Sequence, residues 1–115
     1  MGPIAMMAAL VLSGLSGQRF HFEGYLPKEK EARGQRIAEL YQRSKKEQLT
    51  VLCIEAPYRN EELLESLLAH LEGEATLSLG LDLTLPTQEV HTGLVKRFNR
   101  SLSVKNRPAI FLFSA

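Results

Sequence analysis

Thr50-Val-Leu-Cys-Ile54 is the run that most limits how this chain can fold. It is rich in β-branched residues and apolar on both faces. A strand with one solvated face alternates apolar and polar residues, whereas a strand with none must be covered above and below. The run therefore reads as a central strand with structure packed on both sides. Ala75–Leu81 and Ala109–Phe113 are two more apolar strand runs. Phe20-His-Phe-Glu23 alternates large and polar residues and reads as a further strand, ended by Gly24 and Pro27. A short strand follows Pro86, over Glu89–Gly93.

Helical patterns supply the covering layers. Lys28 to about Lys46 places Ile37, Leu40, Tyr41 and Ser44 on one face, with Arg33, Arg36 and Arg43 outward. Gly34 lowers its helix propensity by about 1 kcal/mol relative to Ala. Asn60 reads as an N-cap, Glu61 and Glu62 suit the positive end of the helix dipole, and Gly73 marks the end. Leu63, Leu64, Leu67, Leu68 and Leu71 form the apolar stripe between them. Thr92 or Gly93 caps a last helix that turns Val95, Phe98 and Leu102 inward. Pro108 then disfavours the helical conformation at Arg107 and introduces the final strand. The expected fold class is α/β, in an α+β layered arrangement, with a mixed five-stranded sheet and about four helices. At 115 residues this is one domain, 1–115.

The beginning is unusual. Residues 4–12 are apolar without a break, yet no basic segment precedes them as a signal peptide requires. A membrane span needs about 20 apolar residues, and Ser13-Gly14 stops this run short. The run reads as a buried helix from Pro3 to about Ser13, stopped by Gly14. Such helices seldom sit at a bare N-terminus. The chain therefore reads as a piece of a longer protein in which something covers this helix, and no membrane is expected as a partner.

Little conventional chemistry is spelled out. No Gly-x-Gly-x-x-Gly, phosphate loop or Gly-x-Ser-x-Gly elbow occurs. One cysteine excludes an internal disulfide and, with three dispersed histidines, a zinc ligand set. It also suits a cytoplasmic setting. Cys53 sits mid-strand as an inert thiol, and no catalytic residue or metal ligand is assigned. The net charge of +1 gives no general attraction to polyanions. Basic residues nevertheless concentrate in Lys28–Lys46 and Lys96–Arg107, so a non-enzymatic RNA-binding module, or a protein-interaction domain, stands as an alternative function. The polar turns Glu55-Ala-Pro-Tyr-Arg59 and Asp82–Glu89 follow strands, where open α/β sheets collect ligands.

These turns carry a resemblance. Gly2-Pro-Ile-Ala5, Ser13-Gly-Leu15, Phe22-Glu-Gly-Tyr-Leu-Pro27, Glu55-Ala-Pro-Tyr-Arg59 and Asp82-Leu-Thr84 occur in the order and spacing of one family. They resemble the C-terminal half of the tetrapyrrole methylase family of S-adenosylmethionine-dependent methyltransferases. The similarity is to the branch that methylates a ribose 2′-oxygen in small-subunit ribosomal RNA. Phe22–Pro27 and Glu55–Arg59 are the more specific matches. The resemblance implies the second domain of a two-domain enzyme, with the N-terminal domain absent. It implies S-adenosylmethionine bound between the two, contacted here by Ile4, Ala5, Glu55 and Ser78. Tyr58, Arg59 and Thr84 are implied on the substrate side. A homodimer is implied, and RNA as a partner, while the fragment alone is expected to be inactive. Ile4 replaces Ser or Cys of the family pattern, Tyr58 replaces His, and Leu85–Gln88 replaces Lys-x-His-Glu. Another RNA or a small molecule thus remains open as the substrate.

Overall fold

The computed structural model describes residues 3–115; Met1 and Gly2 lie outside it, as do the side chains of Pro3 and Ile4. In chain order the elements are α1 (Pro3–Ser13), β1 (Phe20–Tyr25), α2 (Lys30–Glu47), β2 (Thr50–Ile54), α3 (Asn60–His70), β3 (Thr76–Leu81), β4 (Glu89–Leu94) and β5 (Ala109–Ser114). The five strands form one mixed sheet in the order β1-β2-β5-β3-β4. β1 and β2 run parallel, and every other neighbouring pair is antiparallel. β2, β5 and β3 are central: β2 and β5 are apolar on both faces, while β3 alternates Leu77, Leu79 and Leu81 with Thr76, Ser78 and Gly80. Val51, Leu77, Leu79, Ile110 and Phe111 are fully buried.

Side chains alternate between two cores. On one face Val51, Cys53, Leu77, Leu79, Phe111 and Phe113 pack with Ile37, Leu40 and Tyr41 of α2 and Leu63, Leu67 and Leu68 of α3. On the other, Leu52, Ile110 and Leu112 pack with Ala9 and Leu10 of α1. The single helix α1 lies against β3, β4 and β5. Phe20 and Phe22 pair in register with Thr50 and Leu52 and remain about half exposed. Met7 and Val11 of α1 are 55% and 74% exposed. The helix that reads as apolar all round therefore buries only one face in this chain.

Four local expectations are corrected. The helix anticipated after Gly93 does not form: Gly93 ends up in β4, and only a 3-10 turn, Val95–Arg97, precedes an irregular segment. Val95, Phe98 and Val104 are still buried, but Asn99 turns the chain by accepting the Ser101 N–H. Asn106 adopts φ 61°. Such Asn and Ser side chains compete with helical hydrogen bonds. Asn60 is not a cap. It is the first residue of α3, fully buried, and its side-chain amide donates to the carbonyls of Val104 at 3.1 Å and Arg107 at 2.7 Å. Arg33 points inward: its Nε donates to the Ser66 hydroxyl and its Nη1 to the Lys28 carbonyl. Finally, Gly24 does not end β1. The register with β2 shifts between Phe22 and Gly24, leaving out Glu23, and Gly24, at φ 74°, resumes the pairing opposite Cys53.

Glu29 caps α2, accepting the N–H groups of Glu31 and Ala32 at 3.0 and 2.7 Å. The glycine within α2 has a packing reason: a Cβ on Gly34 would lie 2.4 Å from Nε2 of His70. α2 and α3 therefore approach closely where Gly34 meets the end of α3.

Candidate functional site

β1, β2 and β3 all end at one edge of the sheet, and β5, running the opposite way, begins there. This edge carries a cleft of about 490 Å³. Its lining comes from the ends of β1 and β2 (Tyr25, Ile54, Glu55), the loop after β3 (Leu83, Thr84, Leu85) and the start of β5 (Pro108, Ala109), with Ala5 and Pro57. The size falls in the range of small-molecule sites, and the mixture of apolar surface with few polar groups is typical of them.

Glu55 is the polar centre. Its side chain is 3% exposed; Oε1 accepts the Ala56 N–H at 2.7 Å and lies 3.0 Å from Nη2 of Arg59. Pro57 opens a 3-10 turn that delivers Arg59 to this carboxylate. The Arg59 guanidinium stacks 4.6 Å above the Tyr58 ring and contacts its hydroxyl. The Glu55 hydrogen bond raises the Arg59 pKa further, so the cation is permanent. Its Nε is buried with no partner among the described residues. A smaller cavity of about 290 Å³ adjoins the cleft, lined by Tyr25, Lys28, Glu55 and Arg59.

Across the cleft, the loop after β3 holds an unusual backbone. Asp82 and Thr84 have φ of 50° and 72°. Positive φ is strained for a β-branched residue such as Thr84. The Thr84 N–H is taken by the Gln88 side chain at 2.9 Å. Asp82 accepts from Nε and Nη2 of Arg107 at 3.0 and 2.8 Å, and from the Thr87 hydroxyl at 2.9 Å. The Arg107 guanidinium, with help from Thr87, holds the Asp82 carboxyl below its usual range against the opposing effect of burial.

The residues singled out from the sequence divide accordingly. Ala5, Glu55 and Thr84 line the cleft, and Arg59 lines its smaller neighbour. Tyr58 is 61% exposed and lines neither. Ser78 is fully buried away from the cleft, its hydroxyl bonded to Thr92, which in turn donates to the Ser13 carbonyl. Ile4 belongs to α1, but its side chain lies outside the described residues. Sequence reasoning passed over Tyr25, Pro108, Ala109 and Arg107. The signal for the last three is the Pro before an apolar run, once that run is known to return antiparallel. Cys53 is buried and its thiol is pushed up by desolvation, as expected of an inert group. Among the described residues no group of three His, Cys, Asp or Glu is placed to hold a metal ion. Among the same residues no helix is long and apolar enough to cross a membrane.

The fold is shared with methyltransferases of known structure. The chain superposes on the methyltransferase CobJ with a TM-score of 0.66, at 16% identity, over 96% of this chain and 48% of that one. The cobalt precorrin-4 methyltransferase CbiF matches with a TM-score of 0.63, at 10% identity, over 94% and 47%. No family model matches the chain. Among curated relatives, it is 34% identical over 107 residues to the Ribosomal RNA small subunit methyltransferase I of Vibrio cholerae, covering 86% of this chain and 36% of that protein. The protein of the same name from Mesorhizobium japonicum is 36% identical over 95 residues, covering 83% of this chain and 31% of its own. The chain thus spans about a third of the length of these relatives. It belongs to the tetrapyrrole methylase family, through the C-terminal part of that fold.

Proposed function

We propose that this chain forms one wall of the S-adenosylmethionine cleft in a methyltransferase that acts on RNA. The opposite wall then belongs to an N-terminal domain of a longer, cytoplasmic protein. The observation that carries this reading is the cleft itself: the fold brings Ala5, Glu55 and Thr84 together from three distant motifs. The names and identity of the curated relatives support RNA as the substrate.

The lining fits such a ligand. Ala5, Ile54, Leu83 and Leu85 offer apolar surface for a planar ring. Glu55, held by Ala56 and Arg59, offers an acceptor in the same lining. When bound, S-adenosylmethionine supplies an electrophilic methyl group on a sulfonium. The chain's own residues then have three tasks. The apolar wall excludes water, Glu55 orients, and Arg59 with Tyr58 meets the substrate at the rim. Positioning in a dry cleft accounts for most of the rate in such a transfer.

The alternative of a non-enzymatic RNA-binding module has less support. Arg36, Arg43, Lys45, Lys96 and Arg107 each face a carboxylate, which reduces the positive field that polyanion binding needs.

Titration of the isotopically labelled chain with S-adenosylhomocysteine tests the proposal. We expect weak binding, because one wall must order the ligand unaided. Amide shifts should be confined to Ala5, Tyr25, Ile54, Glu55, Leu83–Leu85 and Ala109. Labelled S-adenosylmethionine and total RNA should show no methyl incorporation by the chain alone. Shifts elsewhere, or none at millimolar ligand, overturn the assignment. Submicromolar binding or clear turnover would overturn the two-wall argument.

A further inference from the structure

We propose that Arg107 is a positioning residue that holds the two sides of the cleft in register. This deepens the cofactor reading above and rests on it for its ligand. Arg107 precedes Pro108 and Ala109, which line the cleft. Its backbone is anchored on the α3 side. The Asn60 amide grips its carbonyl at 2.7 Å, and the neighbouring Asn106 N–H donates to the carbonyl of Pro57, itself a lining residue, at 2.9 Å.

Its side chain reaches the opposite side. Nε and Nη2 donate to Asp82, at the start of the loop that carries Leu83, Thr84 and Leu85 into the cleft. Nη2 also lies 2.6 Å from Glu89, where that loop re-enters the sheet as β4, and 3.4 Å from the Thr87 carbonyl. Nη1 donates to the Ser103 carbonyl at 3.0 Å. One planar guanidinium thus ties both ends of a loop whose own conformation, with Asp82 and Thr84 at positive φ, is unfavourable without support. The loop's internal bonds are short-range: Leu85 N–H to the Asp82 carbonyl, and Gln88 N–H to the Leu85 carbonyl. They close turns within the loop. The Asp82 N–H also donates to the Pro108 carbonyl at 2.9 Å, which fixes the start of the loop against β5. The Arg107 side chain adds the tie to the far end of the loop, at Thr87 and Glu89.

Two readouts separate this proposal from the cofactor reading. Amide hydrogen exchange in the ligand-free chain reports the loop directly. In Arg107→Ala, exchange at Thr84, Leu85 and Gln88 should rise at least ten-fold, while amides of β2, β3 and β5 change only as global stability changes. Arg107→Lys should restore part of the protection, and Asp82→Asn, which keeps the side-chain shape, should reproduce the loosening. S-adenosylhomocysteine titration is the second readout, and the affinity of Arg107→Ala should fall at least five-fold. Loop exchange in Arg107→Ala that rises no more than that of β3 overturns the proposal. If the parent chain does not bind the ligand but the loop loosens as expected, the cofactor reading fails and the positioning role stands. If the loop loosens with unchanged affinity, the role in the cleft fails.

Discussion

Asn60→Asp opposes two accounts of one residue, and they predict opposite signs. As a helix cap, Asn and Asp are equivalent, and a carboxylate beside the α3 N-terminus adds about 0.3–1 kcal/mol. As a loop anchor, the substitution is severe. Asn60 is fully buried and its amide donates to two carbonyls, Val104 at 3.1 Å and Arg107 at 2.7 Å. Removing the donors in Asn60→Ala loses two hydrogen bonds of about 1 kcal/mol each; Val104 keeps the long 3.4 Å bond from the Arg107 N–H, but the Arg107 carbonyl loses its partner, a further cost of up to about 1–3 kcal/mol. The Arg107 carbonyl is partly accessible and recovers some of this from water, so the expected loss is about 2–4 kcal/mol. Asn60→Asp at neutral pH adds an unpaired buried charge facing two oxygen acceptors, and its loss should exceed that of Asn60→Ala, at about 3–5 kcal/mol. Against a typical domain stability of 5–15 kcal/mol, both are large. The pH dependence has a definite sign. Burial and the two carbonyls raise the folded-state pKa of the new carboxyl above its unfolded value of about 3.9. The destabilisation is therefore complete above the folded pKa and shrinks as pH falls below it, where the neutral acid donates to one carbonyl. Urea unfolding followed by circular dichroism, for the parent and both variants at neutral and mildly acidic pH, measures this. An Asn60→Asp protein within 0.5 kcal/mol of the parent at neutral pH refutes the anchor argument.

Three further outcomes are expected. Gly34→Ala gains about 1 kcal/mol of helix propensity but drives a Cβ to 2.4 Å from the His70 ring. Because His70 is exposed at the end of α3 and can swing aside, the substitution should be near neutral alone and stabilising by about 1 kcal/mol in a His70→Ala background; equal losses in both would place the obstruction elsewhere. The Arg36 hydrogen bonds, opposed by burial and assisted by His21, lower the Glu23 pKa. Its contribution is present above the ordinary glutamate range and fades as pH falls through the folded value, so Glu23→Gln should cost about 1 kcal/mol at neutral pH and flatten the acid limb of the stability curve. Finally, with Met7 and Val11 exposed on α1 and Phe20 and Phe22 exposed on β1, the isolated chain should self-associate, and Met7→Glu should weaken it. Light scattering that gives a mass near 12.9 kDa at every dilution counts against this.

The layered fold was legible because its signals are local. Apolar residues on both faces mark β2 as a central strand, apolar runs mark β3 and β5, and the leucine stripe marks α3, without knowledge of any partner. The family motifs likewise pointed to the strand-end turns, where Glu55 and Thr84 line the cleft. Arg33, Asn60 and Arg107 escaped the same logic, because their bonding partners lie far away along the chain. Asn60 meets carbonyls 44 and 47 positions on, and Arg33 meets Ser66 33 positions on. A polar residue on an amphipathic pattern reads as solvated until topology brings it a partner. The segment after β4 shows the same limit from the apolar side. Val95 and Phe98 are inward as their spacing suggests, yet no helix forms. Burial of a few side chains and the hydrogen bonds of Asn60 and Asn99 satisfy that segment in an irregular path. Hydrophobic periodicity follows from local geometry, so it can be read along one dimension. The satisfaction of buried polar groups depends on which distant atoms the sheet order places beside them, and only the folded structure determines that.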